Sequence, residues 1–176
     1  MKDSITLLKS LQAKNGLILA APSNKTGYDK AWIRDNIYAS LGLEKVYPNE
    51  AVRVIHRLLD IVNKHSYKID HAINKKPEHS WQYIHARYHP ETLEEFWEAW
   101  GNKQNDATGA MLWRIADLLD KGYPVLRDEK DREAVRMLID YLDSVEYYKD
   151  ADNGVWEEYE EVHASSVGAC LAGLKA

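Results

Sequence analysis

WGNKQNDATGAMLWRIADLLDKGYP, residues 100–124, sets a polar and aromatic cluster directly ahead of a helical repeat. Met111, Ile115, Leu118 and Leu119 recur at helical spacing, Asp106 is placed to cap the helix, and Gly122 with Pro124 ends it. Gly101 lets the backbone bend ahead of the cap. On an extended approach Gln104 and Asp106, two residues apart, point the same way.

The same plan extends in both directions. Toward the N-terminus, Val54, Ile55, Leu58, Leu59 and Val62 form an apolar stripe, with Asn49 as the expected N-cap after Pro48. Ile33, Ile37 and Leu41 predict a helix beginning near Trp32 to Asp35. Ser4 can cap a first helix that carries Leu7, Leu8 and Leu11 and stops at Gly16, and GLILAAPS after it reads as a short extended piece. Residues 65–90 read mostly as loop with a short strand around Trp81 to Ile84, and Glu91 to Trp100 as a helical turn or two. Toward the C-terminus, Glu129 to Val145 predicts a helix with Val135, Leu138, Ile139 and Leu142 inward. Asp150 to Gly154 is a turn, and Ser165 or Ser166 opens a last helix through Leu171 and Leu174. About six helices alternate with loops, and polar-aromatic clusters fall just before helix starts. The expectation is an all-α single domain over residues 1–176, built of helical hairpins with short extended segments and a site in loops gathered at one end.

Composition narrows the function classes. The 176 residues are 45% hydrophobic and 29% charged, which fits a folded domain and neither a disordered chain nor a membrane span. The start reads as an amphipathic helix and not as a signal peptide. Cys170 is the only cysteine, so no internal disulfide or cysteine-based zinc site forms, and a reducing cytoplasm is expected. A net charge of -5 disfavours nucleic acid. The aromatics are 6 Trp and 11 Tyr against 1 Phe; Trp and Tyr suit a wet, partly apolar ligand such as a sugar ring, and equally helix packing boundaries.

Three clusters carry candidate chemistry. In AWIRDN, residues 31–36, the adjacent Arg34 and Asp35 can donate to and accept from hydroxyls, or form a structural bridge. In residues 100–112, Gln104 and Asp106 are either ligands or loop and cap. In DNGVWEEYEEVHASS, residues 152–166, Trp156 can give Glu157 an apolar wall of the kind that favours a neutral acid, or the glutamates are a solvated run. His71, His79, His85 and His89 match no strong metal-ligand spacing and read as surface or loop residues. There is no glycine-rich phosphate loop and no GxSxG, and no cofactor or metal is expected.

WIRDN, WGNKQNDAT and GVWEE followed by HASSVG, in that order, resemble the glucoamylases of glycoside hydrolase family 15 and the related phosphorylase kinase regulatory subunits. HARYHPET, QNDATG and ASSVG look especially like the kinase-subunit branch. The resemblance implies about half of an (α/α)6 barrel, or toroid, with the site at one end. It implies that Arg34 and Asp35 hold the terminal glucose of an α-linked glucan or oligosaccharide. Trp32, Trp100, Gln104, Asp106 and Trp156 would line the pocket, Glu157 would be the general acid, and Glu158 would contact the sugar. The family inverts configuration, which needs a second carboxylate about 6.5–9.5 Å from the acid. The resemblance puts that base in the other half of the barrel, beyond this chain. Half a barrel would also expose helix faces, inviting a homo-oligomer. The alternative reading is a non-catalytic carbohydrate-binding or regulatory module.

Overall fold

A computed structural model describes residues 2–98, 100–157 and 159–176. Among them seven helices follow one another: α1 (Lys2–Ser10), α2 (Ile33–Glu44), α3 (Pro48–Lys64), α4 (Ser66–Asn74), α5 (Asn105–Asp120), α6 (Glu129–Ser144) and α7 (Ala164–Lys175). Two short strands, β1 (Ala31–Trp32) and β2 (Arg87–Tyr88), pair antiparallel with Ala31 opposite Tyr88 and Trp32 opposite Arg87.

The helices form two layers. In one, α5 lies between α2 and α7; in the other, α3 backs α2 and α6 backs α5, with α4 against α6. The stripe Val54, Ile55, Leu58, Leu59 and Val62 on α3 is buried, each side chain contributing about 1.5–3 kcal/mol of transfer free energy. The α2–α5 contact also has a polar fastener. Arg114, fully buried on α5, donates to Ser40 Oγ at 2.9 Å and pairs with Glu44 at 2.8 Å, both on α2. The α5–α7 contact is backbone against backbone. A Cβ on Gly109 would collide with the main chain of Cys170, and one on Gly173 with the carbonyl of Gly109. Small residues let two helix axes approach this closely.

Several local expectations are corrected. Asp106 is not the cap of α5: the helix starts two residues earlier than that cap would place it, at Asn105, and Gln104 stands at the cap position. Asn49 gives way to Tyr47 because Pro48, with its fixed φ, occupies the first helical position. Ser165 and Ser166 lie inside α7, whose cap position is His163. Ser4 lies inside α1. The loop expected at residues 65–90 contains α4, where Ile69 and Ala72 are buried. Trp81 belongs to a 3-10 turn (Ser80–Gln82), and the strand falls later, at Arg87–Tyr88. Residues 91–98 are turns without helix, held by a bridge between Tyr88 and Glu95. Ile139, expected inward, is 42% exposed; His85 lies in a loop, as expected, and is buried at 6%.

No helix is long and apolar enough to cross a membrane among the described residues.

Candidate functional site

Glu157 is held by a turn that is laced to the stretch before α5. Asp152 accepts the backbone N–H of Asn105 at 2.9 Å and the hydroxyl of Ser166 at 3.0 Å, joining the starts of α5 and α7. Burial raises the Asp152 carboxyl above its ordinary pKa, against those two hydrogen bonds. Asp150 pairs with Lys103 at 3.1 Å and accepts from Asn105 Nδ2 at 3.0 Å and Tyr83 Oη at 3.2 Å. Asn153 exchanges two bonds with Lys103: its N–H donates to the Lys103 carbonyl at 2.8 Å, and its Oδ1 accepts the Lys103 N–H at 3.2 Å. The turn then uses two left-handed residues, Gly154 (φ 58) and Glu157 (φ 57). A left-handed glutamate is an uncommon, mildly strained conformation that persists where the surroundings fix it.

Four donors converge on the Glu157 carboxylate. Oε1 accepts from Gln104 Nε2 at 2.7 Å, Trp32 Nε1 at 3.2 Å and Arg34 Nη2 at 3.4 Å. Oε2 accepts from Trp100 Nε1 at 2.5 Å. Oε1 is thereby saturated, and Oε2, with one indole donor, keeps room for a proton or a ligand hydroxyl.

Arg34 works on the turn from inside. Its Nη1 donates to Asp106 Oδ2 at 2.9 Å and to the Gly154 carbonyl at 3.3 Å; its Nη2 donates to the Val155 carbonyl at 3.2 Å as well as to Glu157. Asp106 therefore orients Arg34, and Arg34 orients the segment that carries Glu157. Asp35, the next residue, is exposed to solvent. Burial by the surrounding chain raises its carboxyl pKa, partly offset by Arg34 and reinforced by the charge of Glu157.

Of the residues singled out from sequence, Trp32, Arg34, Trp100, Gln104, Asp106 and Glu157 meet in one place, with Asp35 at its open side. Trp156, expected as the apolar wall, is 80% exposed; Trp32 and Trp100 take that place beside the carboxylate. Glu158 lies outside the described residues. Gly101 is needed for close approach: a Cβ there would press on the Glu157 carbonyl and the Asn153 side chain.

Two contributors escaped the sequence reading. Tyr28 stacks on Trp32 at 5.3 Å between centroids and meets Trp100 edge-on at 5.8 Å. The Arg87 guanidinium lies 4.5 Å from the Trp100 ring centroid. Arg87 sits in the quoted HARYHPET, but nothing local says that β2 will pair with β1 and carry it to Trp100. Among the described residues no group of three or more His, Cys, Asp or Glu could hold a metal ion.

The sequence profile of glycosyl hydrolases family 15 matches residues 1–176. The chain belongs to this family. It is 27% identical to the liver isoform of phosphorylase b kinase regulatory subunit alpha from Mus musculus, over 97% of this chain and 16% of that protein, and equally to the Oryctolagus cuniculus protein. Among solved structures, a wild-type glycosidase superposes with a TM-score of 0.80 at 20% identity, over 99% of this chain and 50% of that one. A glycosidase variant in complex with glucose gives 0.79 at 21%, with the same coverage, and a glucoamylase from Saccharomycopsis fibuligera gives 0.69 at 15%, over 98% of this chain and 40% of that one. The two helical layers are thus about half of an (α/α)6 barrel, and the chain spans about half of the glycosidases and a sixth of the kinase subunits it resembles.

Proposed function

We propose that this chain binds the non-reducing end of an α-linked glucan and supplies the general acid of an inverting glycoside hydrolysis. The observation that carries this reading is the convergence of Trp32, Arg34, Gln104 and Trp100 on Glu157. With Oε1 fully bonded, the proton passes to the leaving glycosidic oxygen from Oε2. As it leaves, the carboxylate becomes charged, and the three donors on Oε1 stabilise that charge. Arg34 serves as a positioning residue, and the exposed Asp35 accepts sugar hydroxyls. Trp100 presents its ring beside the glycosidic bond, and Asp106 acts through Arg34. Trp156, exposed next to Glu157 in the chain, offers a further ring to the bound saccharide. Asp106, tied to Arg34, does not serve as the base that activates water; in this proposal the base comes from the other half of the barrel.

The low-identity likeness to kinase regulatory subunits favours a second reading, in which the same pocket binds saccharide without turnover. Glucose release from maltotriose and calorimetric titration with maltotriose, run on the complete barrel with the wild-type residue and with Glu157→Gln, separate the two. The proposal expects release that falls by about 10²-fold or more in the variant while binding persists. Binding without release in the wild type supports the regulatory module, and release that survives Glu157→Gln overturns the acid assignment.

A further inference from the structure

A cavity of about 610 Å³ opens beside the Glu157 site and shares Trp100 with it, but Glu157 is not among its lining residues. We propose that this cavity is a second saccharide site, taking one to three rings of a neutral oligosaccharide. The inference goes beyond the reading above and does not require that Glu157 donate a proton.

The walls come from three places: α4, the 3-10 turn at Ser80–Gln82, and the chain leading to Trp100. Each contributes an aromatic ring open to solvent: Tyr67 at 64%, Trp81 at 63% and Trp97 at 96% exposed. Three such rings around one concavity are costly to leave in water and are suited to the C–H faces of pyranose rings. The volume lies within the range of small-molecule pockets.

Charge selects a neutral ligand. The buried Lys68 holds both oxygens of Glu95 at 2.7 Å, and Arg87 pairs with Glu98 at 3.3 Å, so both lining carboxylates are already matched. His85, also in the wall, is kept uncharged: burial, with Lys68 and Arg87 nearby, lowers its pKa to about 4. A phosphorylated ligand would find no unpaired lysine in the lining, and a cation would find no unpaired carboxylate. A purely apolar ligand would strip water from His71 and Asn102 without replacing its hydrogen bonds. A polyhydroxylated ring with an apolar face satisfies all of these groups.

The test is calorimetric titration of the full chain with maltotriose, followed also by tryptophan fluorescence. Trp81→Ala, Trp97→Ala and Glu157→Gln are run in parallel, and circular dichroism confirms that each is folded. Wild type is expected to bind two equivalents. Trp81→Ala and Trp97→Ala weaken one of them by about tenfold and leave the other. Two equivalents untouched by either tryptophan variant, a single equivalent altered only by Glu157→Gln, or no binding at all would each overturn the second site. The function proposed above fails on a different reading, the survival of glucose release in Glu157→Gln.

Discussion

The indole N–H of Trp100 donates to Oε2 of Glu157 at 2.5 Å, and it is the donor nearest the oxygen left free for chemistry. Trp100→Phe keeps an apolar ring and deletes this bond. A hydrogen bond to a charged group contributes about 1.5–3 kcal/mol, so glucose release is expected to drop by roughly 10- to 100-fold, with thermal stability changed little. Steady-state rates on maltotriose check this; a Trp100→Phe enzyme with wild-type turnover would remove the bond from the mechanism.

Two glycines on opposite sides of one helix pair should respond in opposite directions. Gly109→Ala drives a methyl into the Cys170 backbone and forces α5 and α7 apart, at a cost of about 1–3 kcal/mol or more. Gly168→Ala, on α7 with open space around it, should stabilise by up to about 1 kcal/mol through helix propensity. Urea-unfolding midpoints of the two variants measure the contrast.

Acid should weaken the fold through His85. Buried neutral with its pKa lowered from 6.5 to about 4, it binds a proton more readily in the unfolded chain. Its contribution is complete above pH 6.5 and declines as pH falls from there to about 4, by on the order of 3 kcal/mol in total. His85→Phe should lose stability at neutral pH, because the Arg87 N–H that now donates to His85 Nδ1 at 3.1 Å loses its acceptor, yet show a flatter pH dependence. Denaturant titrations between pH 7 and 4 give both slopes.

Cys170 should be inert in the native state. Its thiol is buried, donates to the Asn105 carbonyl at 3.2 Å, and has its pKa pushed up to about 12 by that burial. Alkylation by iodoacetamide at pH 8 is expected to be slow without denaturant and fast in it. Rapid native labelling would mean that the α5–α7 seam opens readily.

Helices were the most readable part of the chain because their signal is local. The α3 stripe and the extents of α2, α5 and α6 follow from apolar spacing and from Gly and Pro punctuation. The sequence of α4 reads as loop because its apolar anchors are Ile69 and Ala72, too short a pattern to show a period. The inward assignment of Ile139 fails because helical spacing gives a face and not its width. At the site, the residue types were legible in three clusters, but their tasks were not. Arg34 looked like a sugar clamp, and its terminal nitrogens are engaged by Asp106, Glu157 and two carbonyls.

What the sequence determined by itself is the helical hairpin plan and the order of WIRDN, WGNKQND and GVWEE along it. What only the tertiary structure decided is which atoms meet. Trp32 and Glu157 are 125 residues apart, and Gln104 and Glu157 are 53 apart. They converge because β1 pairs with β2, because Asp150, Asp152 and Asn153 lace the turn to the start of α5, and because Gly109 and Gly173 let α5 and α7 close together. Local propensity shapes each helix, but such pairings depend on buried polar groups finding partners across the fold, and no window of the sequence contains both members.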